Sequence, residues 1–280
     1  GGPSCTPGAA CTATGNGTYA MGVYVGKWVR LNTNGADINL AGKAHTAGGS
    51  AGGTYANNPL GLILASHGQL NGRNVTLYGE SGANFGIQIN YGDTCVGAGS
   101  CTPDTLMSAS GTLSVTGKAT AGNNTGIALA GSTSTAPTIH LTGVGSGSGK
   151  GLGFYNIDVP VVSASTALTL TVDSLFVQGA PGPTLSGGGA LTIEPFGTSF
   201  ASAFAWPPVF NITTPLGGLT LGKAGNAADI SVSGVYSING PVSILANGTG
   251  GDITLAAGSS LTASAGNGIT LAAGGNFVNS

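Results

Sequence analysis

The fold is decided by a phrase that first occurs as Ile38-Asn39-Leu40-Ala41-Gly42, an apolar-polar-apolar pattern closed by glycine. It returns as Val75-Thr76-Leu77-Tyr78-Gly79, Leu113-Ser114-Val115-Thr116-Gly117 and Ile139-His140-Leu141-Thr142-Gly143. Alternation with a period of two is typical of a β-strand with one buried face. A polar stretch, a glycine and a second apolar phrase follow each time, at residues 62–64, 87–89, 127–129 and 152–154. The sequence therefore predicts a two-strand unit used four times.

The tail repeats more tightly. The run Ile253-Thr254-Leu255-Ala256-Ala257-Gly258 returns as Ile269-Thr270-Leu271-Ala272-Ala273-Gly274, and Leu261 and Phe277 fall on the same eight-residue step. Three steps of eight residues make 24 residues, close to the 23 that separate Leu219 from Val242. Strand-turn units that recur every 20 to 50 residues indicate a solenoid. We therefore predict an all-β fold, a single-stranded right-handed parallel β-helix of roughly a dozen coils with loop excursions.

Composition supports a thin, long core and excludes some partners. Glycine supplies 53 of 280 residues, and 41% of the chain is hydrophobic although only 6% is charged. The net charge is −2, without a basic cluster among the seven Lys and Arg, so we expect no nucleic-acid partner. No apolar run approaches the roughly 20 residues of a membrane helix, so we expect no membrane insertion.

The four cysteines fall into two close pairs. Cys5 and Cys11 enclose five residues, as do Cys95 and Cys101. Because small residues fill both loops, the spacing favours disulfides 5–11 and 95–101 among three pairings, and hence an oxidising compartment. A metal site is the alternative, but Cys-x5-Cys is not the usual zinc spacing. We expect no metal and no cofactor.

The chain divides into four regions. Residues 1–35 form an N-terminal disulfide loop and first coil, 36–193 a β-solenoid with loop insertions, and 218–280 regular repeats that we expect to continue beyond the chain. Residues 194–217 contain four prolines, which central strands exclude, so they are predicted to leave the coil as an excursion. Its aromatic side chains are candidate ligand contacts, since aromatic faces stack on sugars and loops carry function: Phe196, Phe200, Phe204, Trp206 and Phe210.

The regular repeats resemble a known family. Gly218-Leu219-Thr220-Leu221-Gly222-Lys223, Gly240-Pro241-Val242-Ser243-Ile244 and Gly251-Asp252-Ile253-Thr254-Leu255 resemble the repeat regions of filamentous-haemagglutinin-like giant adhesins of Gram-negative bacteria. The resemblance implies an exported β-helical shaft, secreted or on the bacterial cell surface, with an outer-membrane transporter as partner. The secretion-domain motifs of that family are not found in this sequence, and disulfides are not its hallmark.

Charged residues give little support to catalysis. The nine acidic residues are scattered, and Asp229 and Asp252, each just before an apolar strand phrase, are expected to stack on neighbouring coils as turn-forming residues at strand entrances. Lys43, Glu80 and Lys118 each follow a strand glycine, so opposite charges are expected to stack weakly.

The sequence thus predicts no catalytic residue and a non-enzymatic adhesin or fibre shaft. The alternative is a polysaccharide-acting β-helix enzyme or a glycan-binding tailspike-like protein. Partners expected for the shaft are host or surface glycans at the side excursions, and further repeats or another copy at an uncapped end.

Overall fold

The computed structural model describes residues 11–14, 21–44, 59–91, 105–155, 159–179, 182–206, 210–264 and 266–280. Within those ranges every regular element is a β-strand. The strands of the first half are β1 (Cys11–Thr14), β2 (Val23–Val25), β3 (Arg30–Asn32), β4 (Ile38–Lys43), β5 (Leu62–Ala65), β6 (Gln69–Gly72), β7 (Val75–Ser81), β8 (Ile87–Tyr91), β9 (Thr105–Ala109), β10 (Thr112–Ala119), β11 (Ile127–Ala130), β12 (Ser132–Val144) and β13 (Leu152–Tyr155). Those of the second half are β14 (Val161–Val172), β15 (Leu175–Val177), β16 (Thr184–Ser186), β17 (Ala190–Glu194), β18 (Phe204–Trp206), β19 (Asn211–Ile212), β20 (Gly218–Gly222), β21 (Ile230–Val232), β22 (Val235–Ile238), β23 (Val242–Ala246), β24 (Ile253–Leu255), β25 (Ser260–Ala263), β26 (Ile269–Ala273) and β27 (Phe277–Asn279).

One parallel sheet runs the length of the molecule. This main face stacks ten strands in the order β1-β4-β7-β10-β12-β14-β17-β20-β23-β26. The predicted phrases lie in register on it, since Ile38 pairs with Val75, Val75 with Leu113 and Leu113 with Ile139. The fold is the predicted parallel β-solenoid.

Two further faces complete each coil in the first part of the chain. The back face stacks β2, β5, β8, β11, β13 and β15, and the side face stacks β3, β6 and β9 with the early part of β12, then β16 and β19 with the early part of β14. We call the coils that share this back face the N-terminal stack. The second apolar phrases of the repeat lie in register on its back face, as Leu62 with Ile87 and Ile127 with Leu152.

The later coils use new sheets for the same two positions. The back position is taken by β18-β21-β24-β27 and the side position by β22-β25. We call these coils the C-terminal stack. The coil length predicted from the tail is confirmed there, because Leu219 pairs with Val242 and Ile230 with Ile253.

The main face has fewer coils than the dozen predicted. The prediction took its coil length from the tail, but the paired Val75 and Leu113 lie much farther apart in sequence than the paired strands of the C-terminal stack. In that coil, residues 92–104 between β8 of the back face and β9 of the side face supply most of the extra length. A single hydrophobic core nevertheless extends from Val25 to Ile253.

Glycine closes the coils of the N-terminal stack. Gly42, Gly79, Gly117 and Gly143 lie in register on the main face, and none has a positive φ. A Cβ atom at Gly79 would overlap the carbonyl oxygen of Gly86, where the back strand begins. These glycines are therefore needed for the close approach of two backbones rather than for a turn.

Candidate functional site

The described carboxylates all bind a neighbouring coil. Six of the nine acidic residues lie in the described ranges, and each accepts a hydrogen bond from the coil before or after its own. Thr171 Oγ1 donates to Glu194 Oε1 over 3.0 Å, and the Gly145 N–H donates to Asp173 Oδ2 over 3.0 Å. The acids thus connect coils along the solenoid.

The predicted charge row is present on the main face. Lys43, Glu80 and Lys118 lie in register, and Lys43 Nζ is 2.8 Å from Glu80 Oε1. Two hydrogen bonds lower the pKa of Glu80: the one from Lys43 has the larger effect and the one from Tyr78 the smaller. The Tyr78 hydroxyl donates to Glu80 Oε2 over 2.6 Å, and partial burial together with this carboxylate raises the pKa of Tyr78 to about 12. The Lys43 side chain is 54% exposed, so solvent screens the pair and it contributes little stability, about 1 kcal/mol or less.

A second polar ladder lies where the side face meets the main face. Arg73 donates to Asp37 through Nε at 2.9 Å and Nη2 at 3.1 Å, which lowers the pKa of Asp37. The backbone N–H of Asn74 also donates to Asp37 Oδ1, over 3.2 Å. Asn74 Oδ1 in turn accepts the N–H of Thr112 in the next coil, over 3.0 Å. Three coils are linked in this way.

Asp229 and Asp252 stack on neighbouring coils as the sequence predicts. The Asp252 N–H donates to Asp229 Oδ1 over 2.9 Å, and the Asn276 N–H donates to Asp252 Oδ1. Each aspartate stands directly before a back strand, since Ile230, Ile253 and Phe277 pair in register. Both carboxylates therefore connect the entrances of successive strands.

A buried asparagine was not predicted from the sequence. Asn226 is fully buried; its Oδ1 accepts from Ser199 Oγ at 2.9 Å and from the Phe200 N–H at 3.2 Å. Its Nδ2 donates to the carbonyl oxygens of Ala228 and Leu245. One side chain thus joins three coils. No local motif distinguishes Asn226 from the other asparagines of this Asn-rich chain, so the sequence does not predict this role.

The aromatic segment departs from the predicted excursion. It contributes β18 and β19, and Phe200, Phe204 and Trp206 are buried in the core, with Trp206 only 1% exposed. Phe210 is partly buried against the same core, and Phe196 is the exposed member.

The prolines did not exclude strands because β18 ends at Trp206, before Pro207 and Pro208. Four of the five predicted ligand contacts therefore pack inside the solenoid.

An exposed aromatic stack lies elsewhere, at the corner between the back and side faces. The rings of Trp28 and His67 are stacked with centroids 3.7 Å apart and an interplanar angle of 4°. Trp28 is 68% exposed, and nearby Tyr24 is also exposed. The two rings occupy equivalent turns of neighbouring coils, each two residues before the paired Arg30 and Gln69.

The backbone at this stack is unfavourable for large side chains. Trp28 has a φ of 65° and His67 a φ of 61°, in the left-handed region. A non-glycine residue there costs about 1–3 kcal/mol, whereas an aromatic pair contributes about 0.5–1.5 kcal/mol beyond burial. Glycine would suit the turn better than tryptophan, so stability alone does not explain Trp28.

The change between the two stacks leaves openings on two faces. A groove of about 580 Å³ lies between β19 and β22 and is lined by Ile212, Leu216, Val235 and Tyr236 among others. A pocket of about 210 Å³ lies between β15 and β18, where Lys150, Asp173 and Phe204 line it. These two sites combine apolar walls with few charges.

Several predicted residues lie outside the described ranges. Cys5, Cys95 and Cys101 are among them, and only the backbone of Cys11, in β1, is described, so both disulfides remain predictions. Within the described ranges, no group of three or more His, Cys, Asp or Glu side chains is placed to hold a metal ion. No helix in this part of the chain is long and apolar enough to span a membrane.

Comparison with known proteins gives no match. No protein-family model, no curated protein and no solved structure is significantly similar to the chain.

Proposed function

We propose that the chain is part of an extracellular, non-catalytic β-helical shaft, a bacterial surface adhesin or fibre of the kind its repeats resemble. The observation that carries this proposal is the use of the described carboxylates, each of which binds a neighbouring coil. Groups of this kind in a glycoside-cleaving enzyme converge on one substrate bond. Here they connect coils along the axis, as a load-resistant rod requires.

The last coil supports an extended assembly. Ile269, Leu271 and Phe277 are each 36% exposed or more, although they pair with the buried Val242, Ile244 and Ile253 of the preceding coil. The open edge of a parallel sheet also presents unpaired backbone groups. We propose that the end of another copy covers this surface. An outer-membrane transporter partner and a surface location are proposed from the family resemblance.

Electron microscopy tests the end-to-end form of this proposal. We expect the 280-residue chain to form thin fibres longer than one rod, and Phe277→Lys to shorten them, because a charge on the last coil opposes docking. Leu106→Lys, at an exposed position in a middle coil, is the matched control. Single rods at all concentrations would contradict docking between copies.

A polysaccharide-acting enzyme is the second candidate, and the pocket that contains Lys150 and Asp173 favours it. Size-exclusion chromatography of bacterial and plant polysaccharides after incubation with the chain distinguishes the two functions. The shaft proposal expects unchanged polymer lengths. Depolymerisation that Asp173→Asn abolishes would establish the enzyme instead.

A further inference from the structure

We propose that Trp28 is a sugar-binding platform, on which the exposed indole face stacks against the C–H face of a hexopyranose ring. The inference names a ligand contact for the adhesive shaft and rests on that proposed function for its biological role. The binding itself is testable whether or not the shaft forms fibres.

The fold does not require a tryptophan at this turn. Its left-handed backbone favours glycine, and its ring is 68% exposed and so gains little from burial. Strained residues that persist on a rigid scaffold are concentrated at functional sites. The exposed ring therefore calls for an explanation outside the fold.

The Trp28 ring presents one open face in a fixed orientation. His67 covers one indole face in a parallel stack at 3.7 Å, so the exposure of Trp28 comes from its opposite face and edges. The stack also fixes the ring plane, because both residues lie in turns held by the paired strands β3 and β6. A ring that is ordered before binding loses little conformational freedom on binding.

The chemistry at and beside the indole suits a sugar ligand. An aromatic face is electron-rich and attracts the partly positive C–H groups of a sugar ring. Arg30, two residues after Trp28, is exposed and carries N–H donors suited to hydroxyl or carboxylate oxygens. A protein partner would favour a larger continuous apolar patch. An aromatic platform beside polar donors suits a sugar better.

The two tryptophans of the chain make the test direct. Trp206 is 1% exposed, so acrylamide quenching of tryptophan fluorescence reports mainly on Trp28. The probes are oligosaccharides of glucose, galactose, glucuronic acid and galacturonic acid, titrated to about 10 mM, the range of weak single-site binding. We expect at least one to protect Trp28 from quenching, with uronic acids preferred because the Arg30 guanidinium can pair with a carboxylate.

Variants separate a ligand role from a packing role. Binding followed by isothermal calorimetry should weaken at least about tenfold in Trp28→Gly, whereas its Tm should stay unchanged or rise, because glycine relieves the strained turn. Trp28→Phe should retain binding to within about threefold. Phe176→Ala, which removes another exposed aromatic ring, should leave binding unchanged.

Two results would overturn the proposal. One is the absence of Trp28 protection by every probe. The other is binding that Trp28→Gly leaves intact. A fall in Tm in Trp28→Gly without any sugar binding would identify the stack as packing. Failure of the fibre experiment alone would affect the shaft proposal and not this site.

Discussion

The two stacks close their coils in different ways, although one main face runs through both. In the N-terminal stack, glycines bring the main and back strands into contact. In the C-terminal stack the coil is shorter, as the pairing of Leu219 with Val242 shows, and side chains such as Asn226 and Asp229 hold its corners. The same strand phrase therefore supports two kinds of corner.

The joint between the stacks is filled by aromatic side chains. Phe154 of the N-terminal back face contacts Phe210 with ring centroids 5.8 Å apart, and Phe210 contacts Trp206 at 6.2 Å. Trp206 in turn contacts Tyr236 of the C-terminal side sheet at 5.9 Å. Large rings fill the core where the back and side sheets are interrupted, so the main face is not the sole connection between the stacks.

Removing the central ring should have the largest effect. Trp206→Ala leaves a cavity at the joint, and we expect a loss of about 3–5 kcal/mol in the free energy of unfolding. Urea denaturation followed by circular dichroism measures it. Because repeat proteins can unfold in parts, the two stacks should then melt in separate transitions.

The control for this variant is Phe196→Ala in the same segment. Phe196 is 44% exposed, and we expect a change within about 0.5 kcal/mol. If Trp206→Ala lowers the free energy of unfolding no more than Phe196→Ala does, Trp206 does not belong to the core. That result would support the predicted excursion of residues 194–217.

A methyl group on the glycine seam should affect the N-terminal stack. Gly79→Ala places a Cβ against the backbone of Gly86, and backbone cannot move aside as a flexible side chain can. We expect a loss of about 3 kcal/mol, at the upper end of overpacking effects, with hydrogen exchange rising first in β7 and β8.

The C-terminal stack offers a matched glycine. Gly268 precedes β26, has no positive φ, and a Cβ there meets no atom within 4 Å. Gly268→Ala should therefore be nearly neutral. Equal effects of the two substitutions would show that the seam is not what closes the early coils.

The sequence predicted the fold well where the strand phrase is visible. Register on the main face, the coil length of the tail and the row of Lys43, Glu80 and Lys118 all follow from counting positions after a repeated glycine. Counting fails on the side face, where Arg30 pairs with Gln69 across a long insertion without a repeated phrase. For this reason the Trp28 and His67 stack was not predicted.

The aromatic segment was misassigned for another physical reason. Its two strands have only three and two residues, too few to establish a period, and prolines follow the first of them directly. Burial of Trp206 depends on an interruption of the back face, which is a property of three-dimensional stacking. Composition alone therefore favoured a loop with exposed rings.

Removing the buried asparagine should weaken the corners of the C-terminal stack. Asn226→Ala leaves the Phe200 N–H and the Leu245 carbonyl without their side-chain partner, and we expect a loss of about 2 kcal/mol. Thermal unfolding measures it. Asn247→Ala is the control, because Asn247 is exposed and accepts one bond from the Gly225 N–H. A larger loss in the control would contradict the assigned role of Asn226.

The smallest expected effect is confined to alkaline pH and to the N-terminal stack. Burial and the hydrogen bond to Glu80 raise the pKa of Tyr78 to about 12, so the folded state holds its proton more tightly than the unfolded chain does. This contribution is fully present below the unfolded value, about pH 10, and is lost as the pH rises through about 12. Because Tyr78 is only partly buried, we expect less than about 1 kcal/mol. Thermal unfolding of the chain and of Tyr78→Phe between pH 9 and pH 12, with Tyr236 the same in both, isolates it: the Tm of the unsubstituted chain should fall more steeply. Glu80→Gln should reduce the difference, because a neutral amide repels the phenolate less. Parallel pH profiles for the chain and Tyr78→Phe would show that the bond to Glu80 does not stabilise the fold.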